Sequence, residues 1–356
     1  MKTQKERTLS ALANTICFAF LFILALSLHV GCSGSNDGKY DADDQQDSME
    51  ELNGIISSNE EVGEREDGTG AFRTHCLESH EAFDDPLVFP QQAGASHHHI
   101  FFGNPTVDAF TNTESLLTAN ETTCDGNTLN RSAYWVPALY DQNGERIEYI
   151  EPLFYYKTGY HLPAESIQPL PEGLRMIAGN AHAMHAQSST VIKFRCGEWE
   201  SDIEWFDPGD PLDHVPYLPE CEIDDILEIR IVFPQCWDGE NLDSPDHKSH
   251  MAYPSSATPP IAGTGSCPES HPIAIPEISY NFAIYVTEDR GQPSLWRFSS
   301  DIHHGVAGGV SLHADWMNGW NSTVMETIVT NCLRPARECL VGLLGNGTQL
   351  SPVVTD

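Results

Sequence analysis

The chain has 356 residues, with 18 Lys plus Arg against 52 Asp plus Glu and a formal net charge of -34 at pH 7. So large an acidic excess argues against nucleic acid or an anionic membrane surface as a partner, because both repel it. Hydrophobic residues make up 40% of the chain, which is enough to build one large domain or two small ones.

Residues 1–31 have the pattern of a signal peptide. Basic residues precede an apolar run over about 11–30, which ends in the stretch HVGC. Cys32 follows a small residue, as in a bacterial lipobox, where the cysteine is lipidated and becomes the mature N-terminus. His29 stands where that pattern usually has Leu, and an uncleaved membrane anchor is the alternative. Both interpretations export the chain to the cell envelope or surface, and lipidation at Cys32 would make the lipid its contact with the membrane.

Residues 32–71 are acidic, contain Ser and Gly and are poor in aromatic side chains. A segment of this composition buries too little apolar surface to fold by itself, which predicts a tether. We therefore predict a single folded domain over 72–356.

Alternating apolar and polar residues dominate this domain. The stretches STVIKFRCG, ILEIRIVF and ISYNFAIYV alternate with period two, which predicts half-buried strands. Helical signals are few: NSTVMETIVTNCL, capped by Asn321 or Ser322, and a shorter one from Glu114. The prediction is a mainly β fold, a single β-sandwich or jelly-roll-like domain with long loops and one or two short helices.

Eight cysteines fall in the predicted domain, and an even number in an exported chain predicts four disulfides. Closeness in sequence favours Cys332–Cys339, Cys196–Cys221 and Cys236–Cys267. No CxxC pair occurs, which argues against a zinc–thiolate site.

Histidines gather in short polar stretches. In GASHHHIFFGN, an extended backbone places His97 and His99 on one face and His98 on the other. In SLHADWMNGW, His313 and Asp315 likewise share a face. Imidazoles at such spacing can bind a metal or transfer protons, and the alternative is ordinary surface or hydrogen-bonded histidines.

In SPDHKSHMAYP, His247 and His250 lie three residues apart on a predicted turn, flanked by Asp243 and Asp246. These carboxylates can orient the imidazoles or act as ligands themselves. A fourth cluster, AHAMHAQ, contains His182 and His185, and weaker candidates are His271, His303 and His304. With the cysteines in disulfides, a ligand set of His and Asp favours a divalent metal such as zinc, copper, manganese or iron.

These same stretches, with NRSAYWVPALY and GLRMIAGNA, resemble the domain of unknown function family DUF1996 from about Asp85 to Leu344. The family patterns SHxH, DHxxHxxYP and LHADWxNGW are matched here, with His98 in place of the usual aliphatic residue. The resemblance implies an exported protein with a shared polar site. Its predicted members are His97, His99, Asp246, His247, His250, His313 and Asp315, of which the five histidines are the predicted metal ligands.

The resemblance also implies a glycan context, because fungal members are often joined to WSC modules, which are associated with cell-wall polysaccharide. Six aromatic residues in or beside the motifs could stack on sugar rings, or could simply be core: Tyr134, Trp135, Trp237, Tyr253, Trp316 and Trp320. Two hypotheses remain open. One is a metal-dependent or acid–base hydrolase acting on cell-wall or extracellular polysaccharide. The other is a non-catalytic glycan-binding or structural surface module.

Overall fold

The structure, a computed structural model, describes residues 53–197, 214–255 and 263–353. The predicted signal peptide and the lipidation candidate Cys32 lie outside these residues. In the described part, no helix has the length and apolar character that crossing a membrane requires.

The described chain is mainly β, as predicted, and its strands in chain order are β1 (Ile55–Ser57), β2 (Gly63–Glu64), β3 (Ala71–His75), β4 (Glu78–Ala82), β5 (His99–Gly103), β6 (Ala133–Pro137), β7 (Leu139–Tyr140), β8 (Ile150–Lys157), β9 (Arg175–Gly179), β10 (Ile192–Gly197), β11 (Ile226–Val232), β12 (Cys236–Trp237), β13 (Met251–Ala252), β14 (Ile273–Ala274), β15 (Glu277–Tyr285), β16 (Arg297–Phe298), β17 (His313–Met317), β18 (Arg337–Val341) and β19 (Thr348–Leu350). The three stretches with period-two alternation form β10, β11 and β15. β10 is half-buried as predicted, whereas β11 and β15 are buried at nearly every position, because both are interior strands of their sheet.

Three short α-helices occur among the described residues: α1 (Thr113–Leu117), α2 (Ser299–His304) and α3 (Ser322–Ile328). Two of them were predicted, and Asn321 caps α3 by accepting hydrogen bonds from two backbone N–H groups of its first turn. The sequence analysis did not predict α2, since SSDIHH has no apolar stripe. Its polar Asp301 holds the first turn instead, accepting a hydrogen bond from the backbone N–H of Phe298.

Two sheets form a β-sandwich, which confirms the predicted class. The larger has seven strands in the order β10-β11-β15-β8-β3-β18-β2, and the smaller has five in the order β4-β5-β6-β17-β9. Their inner faces meet in a large aromatic core. The ring of Tyr134 on β6 lies 4.2 Å from that of Phe154 on β8, and Phe102 on β5 lies 5.4 Å from Phe282 on β15.

The smaller sheet has a second buried face, and this face carries the polar residues. On β17, Ala314 and Trp316 point into the large core, so the alternating residues His313 and Asp315 point to the opposite side. There Leu87 and other apolar side chains of the covering segments pack on strand residues such as Phe101 in a smaller apolar cluster. Polar side chains are thus trapped between a sheet and its covering loops.

The folded part begins earlier than the sequence predicted. Within the predicted tether over 32–71, Ile55–Ser57 pairs with β19 and Gly63–Glu64 pairs with β18. The acidic composition of the segment concealed these strands, because backbone hydrogen bonds to a neighbouring strand need few apolar side chains. The tether prediction is therefore corrected from residue 53 onward.

Four disulfides join the eight cysteines: Cys76–Cys124, Cys196–Cys221, Cys236–Cys267 and Cys332–Cys339. The three pairs favoured by closeness in sequence are confirmed. Stable disulfides are typical of proteins in oxidising, extracytoplasmic compartments.

Candidate metal centre

Three imidazoles from two distant parts of the chain meet on the buried outer face of the smaller sheet. His99 begins β5, His97 precedes it by two residues, and His313 begins β17. The ring centroid of His97 lies 4.3 Å from that of His99 and 5.0 Å from that of His313. One nitrogen from each of the three falls within 4.8 Å of the others. We call these three residues the inner triad.

Backbone carbonyls select the tautomer of two triad members. The Nδ1 atom of His99 lies 2.9 Å from the carbonyl oxygen of Asp84, and that of His313 lies 2.9 Å from the carbonyl oxygen of Ser311. A carbonyl only accepts, so both Nδ1 atoms carry the proton and both Nε2 atoms keep a lone pair. The buried Nε2 atoms of His97 and His99 have no hydrogen-bond partner among the described residues.

The environment keeps these imidazoles neutral. Burial lowers the pKa of His99 to about 4. Burial, together with the neighbouring His99, lowers the pKa of His313 to about 3. Burial also lowers the pKa of His97 far below its usual range, helped by the other two triad members. Neutral imidazole is the form that binds metal.

Two buried carboxyl groups adjoin the triad. Asp315 lies on the same strand as His313, with its Oδ2 3.8 Å from His313 Nε2, and neither of its oxygens has a hydrogen-bond partner among the described residues. Asp85 accepts hydrogen bonds from the backbone N–H groups of Leu87 and Val88. Oxygens of Asp85 and Asp315 and a nitrogen of His99 also fall within 4.8 Å of one another.

Burial raises the pKa of both carboxyl groups. That of Asp85 rises to about 6, and that of Asp315 rises well above its usual range, with repulsion from Asp85 as a further cause. Asp85 was not among the predicted site residues. In the sequence, Asp85 belongs to the stretch DDP, shortly before HHH. Only the pairing of β4 with β5 shows that this stretch lies beside the histidines.

The centre opens into a pocket of about 200 Å³, which His247 also lines. The Nδ1 atom of His247 lies 2.9 Å from Oδ1 of Asp243, and its backbone has a φ of 56°, a conformation that costs energy outside glycine. Asp243, rather than the predicted Asp246, therefore orients this imidazole. Asp246 instead holds the turn, accepting hydrogen bonds from Ser244 Oγ and from backbone N–H groups of residues 248 and 249.

The structure places His250 outside the centre, which corrects its prediction as a ligand. It is only 1% exposed and does not line the pocket. Its Nδ1 lies 2.9 Å from Ser244 Oγ, and its Nε2 lies 2.7 Å from the carbonyl oxygen of Arg175. Since both ring nitrogens are engaged, this residue ties the SPDHKSH turn to β9.

We expect His250→Ala to lower the free energy of unfolding by about 2–4 kcal/mol, because it removes two buried hydrogen bonds and leaves a cavity. Metal content should not change. Urea denaturation and elemental analysis measure the two effects. His271→Ala is the matched control, because His271 makes the same two kinds of bond at the surface, to Ser270 Oγ and to the Ser249 carbonyl. Loss of metal without loss of stability would contradict this role.

Four of the six predicted stacking residues belong to the cores. Tyr134, Trp135, Trp316 and Trp320 are at most 1% exposed, so their rings offer no face to a ligand. This corrects their assignment. The physical reason is that both faces of the smaller sheet are covered, and that Trp320 packs against Phe72 and Tyr156 in the large core. Trp237 is half-buried, and Tyr253 is 41% exposed, with its hydroxyl donating to the carbonyl of Val232.

Comparison with known proteins gives one result. The sequence model of a family described as Domain of unknown function (DUF1996) matches residues 85–320, which is more than half of the chain. None of the curated proteins and none of the solved structures matches. The matched range contains the inner triad, both buried carboxyl groups and the Asp243–His247 pair. This protein therefore belongs to the DUF1996 family.

Proposed function

We propose that this protein is an exported, metal-dependent enzyme that acts on cell-wall or extracellular polysaccharide. In this proposal the metal is held by the inner triad and Asp315. The observation that carries it is a set of buried polar atoms without hydrogen-bond partners, Nε2 of His97 and His99 and both oxygens of Asp315. These residues belong to two groups of closely spaced ligand atoms that share His99. Buried polar atoms almost always have a hydrogen-bond partner, so such a group is expected where an ion binds.

The donor set fits a transition metal. Three neutral imidazoles and a carboxylate are typical of zinc, and they also suit copper, manganese and iron. Thiolate sites are not available in the described part, since its eight cysteines all form disulfides. The carbonyls behind His99 and His313 are the orienting partners that metal-binding histidines commonly have.

A metal ion here would act as a Lewis acid and would lower the pKa of a bound water. His247 supplies the second catalytic function. Because its Nδ1 is held by the Asp243 carboxylate, its Nε2 remains to accept or donate a proton at the pocket. An imidazole oriented by a carboxylate is a common general acid or base.

Polysaccharide as the substrate class rests on the family resemblance, in which relatives are linked to WSC modules. The pocket has a volume of about 200 Å³, smaller than the roughly 300–1,000 Å³ of most small-molecule sites, so in this proposal it admits only part of the polysaccharide. Four disulfides support an oxidising compartment, and we extend the proposal to a lipid anchor at Cys32.

The test is elemental analysis of the chain purified without a histidine tag, followed by a screen of polysaccharides for reducing ends with and without a chelator. We expect at least one equivalent of metal and chelator-sensitive turnover. His247→Ala should keep the metal and the fold but reduce turnover by roughly 10²–10⁴-fold. His185→Ala, an exposed histidine outside the pocket, should change neither.

Absence of bound metal after loading with zinc, copper, manganese and iron would overturn the metal centre. Turnover that survives chelation and His247→Ala would overturn the mechanism. Retention of a glycan without turnover would favour the non-catalytic surface module.

A further inference from the structure

Three more imidazoles line the same pocket outside the inner triad. His182 lies in the loop after β9, and His303 and His304 end α2. The ring centroid of His304 lies 4.9 Å from that of His182 and 4.9 Å from that of His303. His182 and His303 are exposed and His304 is half-buried, whereas the inner triad is largely buried. We call these three residues the outer histidine set.

The ring nitrogens of the outer histidine set are not used for folding. Within the described residues, none of the three rings makes a hydrogen bond or an ion pair. Other histidines differ: His98 bonds the hydroxyl of Tyr140, and His250 has both nitrogens engaged. The outer histidine set therefore has free lone pairs that face a shared space.

The backbone that carries these rings is held firmly. Asp301 in α2 accepts hydrogen bonds from the N–H groups of Phe298, Gly309 and Ser311. The carbonyl of Ser311 in turn accepts from His313 of the inner triad. At the other side, Asn180 Oδ1 accepts from the backbone N–H of His182. The backbone segments that carry the outer rings thus belong to the same hydrogen-bond network as the inner triad. The ring centroid of His303 lies 6.5 Å from that of His97.

We propose that the outer histidine set binds a second divalent transition-metal ion of the zinc class at the mouth of the pocket. Three imidazoles suit such an ion and leave a coordination position open to the pocket. The exposed rings of His182 and His303 can rotate to bring their nitrogens to the roughly 2.0–2.1 Å that zinc requires. Fixing these two rings in the rotamers that bind the ion costs side-chain entropy, so the outer ion binds more weakly than the inner one.

The position of the outer histidine set suggests its role. The ring centroids of His97 and His303, one from each set, are 6.5 Å apart, and the two sets share no residue. We assign the outer ion to the pocket mouth, where its open coordination position would hold an oxygen-rich part of the substrate. The outer site does not depend on the inner triad for its ligands.

The test is a titration of the metal-stripped chain, without a histidine tag, with Zn²⁺ by calorimetry, followed by elemental analysis. We expect two equivalents. His182→Ala/His304→Ala should lose the weaker one, with at least a tenfold fall in affinity, and His97→Ala/His313→Ala should lose the tighter one. His185→Ala/His271→Ala is the matched control and should keep both. Circular dichroism melts establish that each variant folds, and His303→Ala should independently weaken the outer ion.

The outcomes separate the two proposals. One equivalent that survives His182→Ala/His304→Ala and disappears in His97→Ala/His313→Ala would overturn the outer site and leave the inner centre standing. One equivalent lost only in the outer variant would overturn the inner centre. Absence of bound zinc would overturn the outer site, and the inner centre would fall as well if copper, manganese and iron also fail to bind.

Discussion

His99→Ala is expected to weaken the binding of Zn²⁺ at the inner centre by roughly a hundred- to a thousandfold. Structural zinc sites have apparent binding free energies of about 10–16 kcal/mol, or roughly 2.5–4 kcal/mol for each of four ligands. His99 is the ligand whose loss should matter most, because it is fully buried and takes part in both groups of converging donors. Competition between the protein and a chromogenic chelator measures the change.

The reason for a selective effect lies in the hydrogen bonding of His99. Its Nδ1 already binds the Asp84 carbonyl, so its Nε2 is committed to the centre and is otherwise without a partner. Alanine removes a ligand nitrogen that belongs to both groups of closely spaced ligand atoms. The metal-free protein should also lose some stability, because alanine removes the bond to the Asp84 carbonyl and leaves a cavity. Removal of the unpaired buried Nε2 offsets part of that cost.

His98→Ala is the control that the chain itself provides. His98 is adjacent but lies on the other side of the backbone, where it stacks on Phe83 and bonds the hydroxyl of Tyr140. Its loss should leave the affinity for Zn²⁺ unchanged. Equal losses from His98→Ala and His99→Ala would show that the triad is not the metal centre.

Asp315→Asn should stabilise the metal-free protein at neutral pH by about 1–3 kcal/mol while weakening its binding of metal. Both oxygens of Asp315 are buried without a hydrogen-bond partner among the described residues, beside a second buried carboxyl group. An unpaired buried charge costs stability, and the neutral amide of the same shape removes that cost. A functional residue that destabilises its own fold is expected where a ligand completes the site.

The pH dependence of this difference has a defined sign. The pKa of Asp315 is raised in the folded state above its usual 3.8. As pH rises above that value, the unfolded chain releases the proton first, so the contribution of Asp315 to stability falls. The advantage of Asp315→Asn should therefore be small near pH 4 and larger at pH 7. Urea denaturation at both pH values measures it.

Asp246→Asn is the control, because it is expected to change the free energy of unfolding in the opposite direction. Hydrogen bonds from Ser249, Ser244 and Lys248 hold the pKa of Asp246 below its usual range. Replacement should therefore destabilise the protein, and more so at pH 7 than near pH 4. A stabilising effect of Asp246→Asn, or a destabilising effect of Asp315→Asn in the metal-free protein, would contradict the assigned roles.

Local patterns allowed much of this molecule to be predicted. Period-two alternation predicts β10, β11 and β15, because a strand turns successive side chains to opposite faces. The same rule separated His97 and His99 from His98. Three of the four disulfides followed from closeness in sequence. These features depend on neighbours along the chain, so the sequence by itself determined them.

Other features depend on contacts between distant segments. His99 and His313 meet because β6 lies between β5 and β17 in one sheet, and no local pattern specifies that order. Asp85 joins them only through the pairing of β4 with β5. Which of two neighbouring carboxylates orients His247, and whether a tryptophan faces core or solvent, likewise follow from packing. Only the tertiary structure decided these points, because burial and hydrogen-bond geometry are properties of the assembled sheets rather than of any one strand.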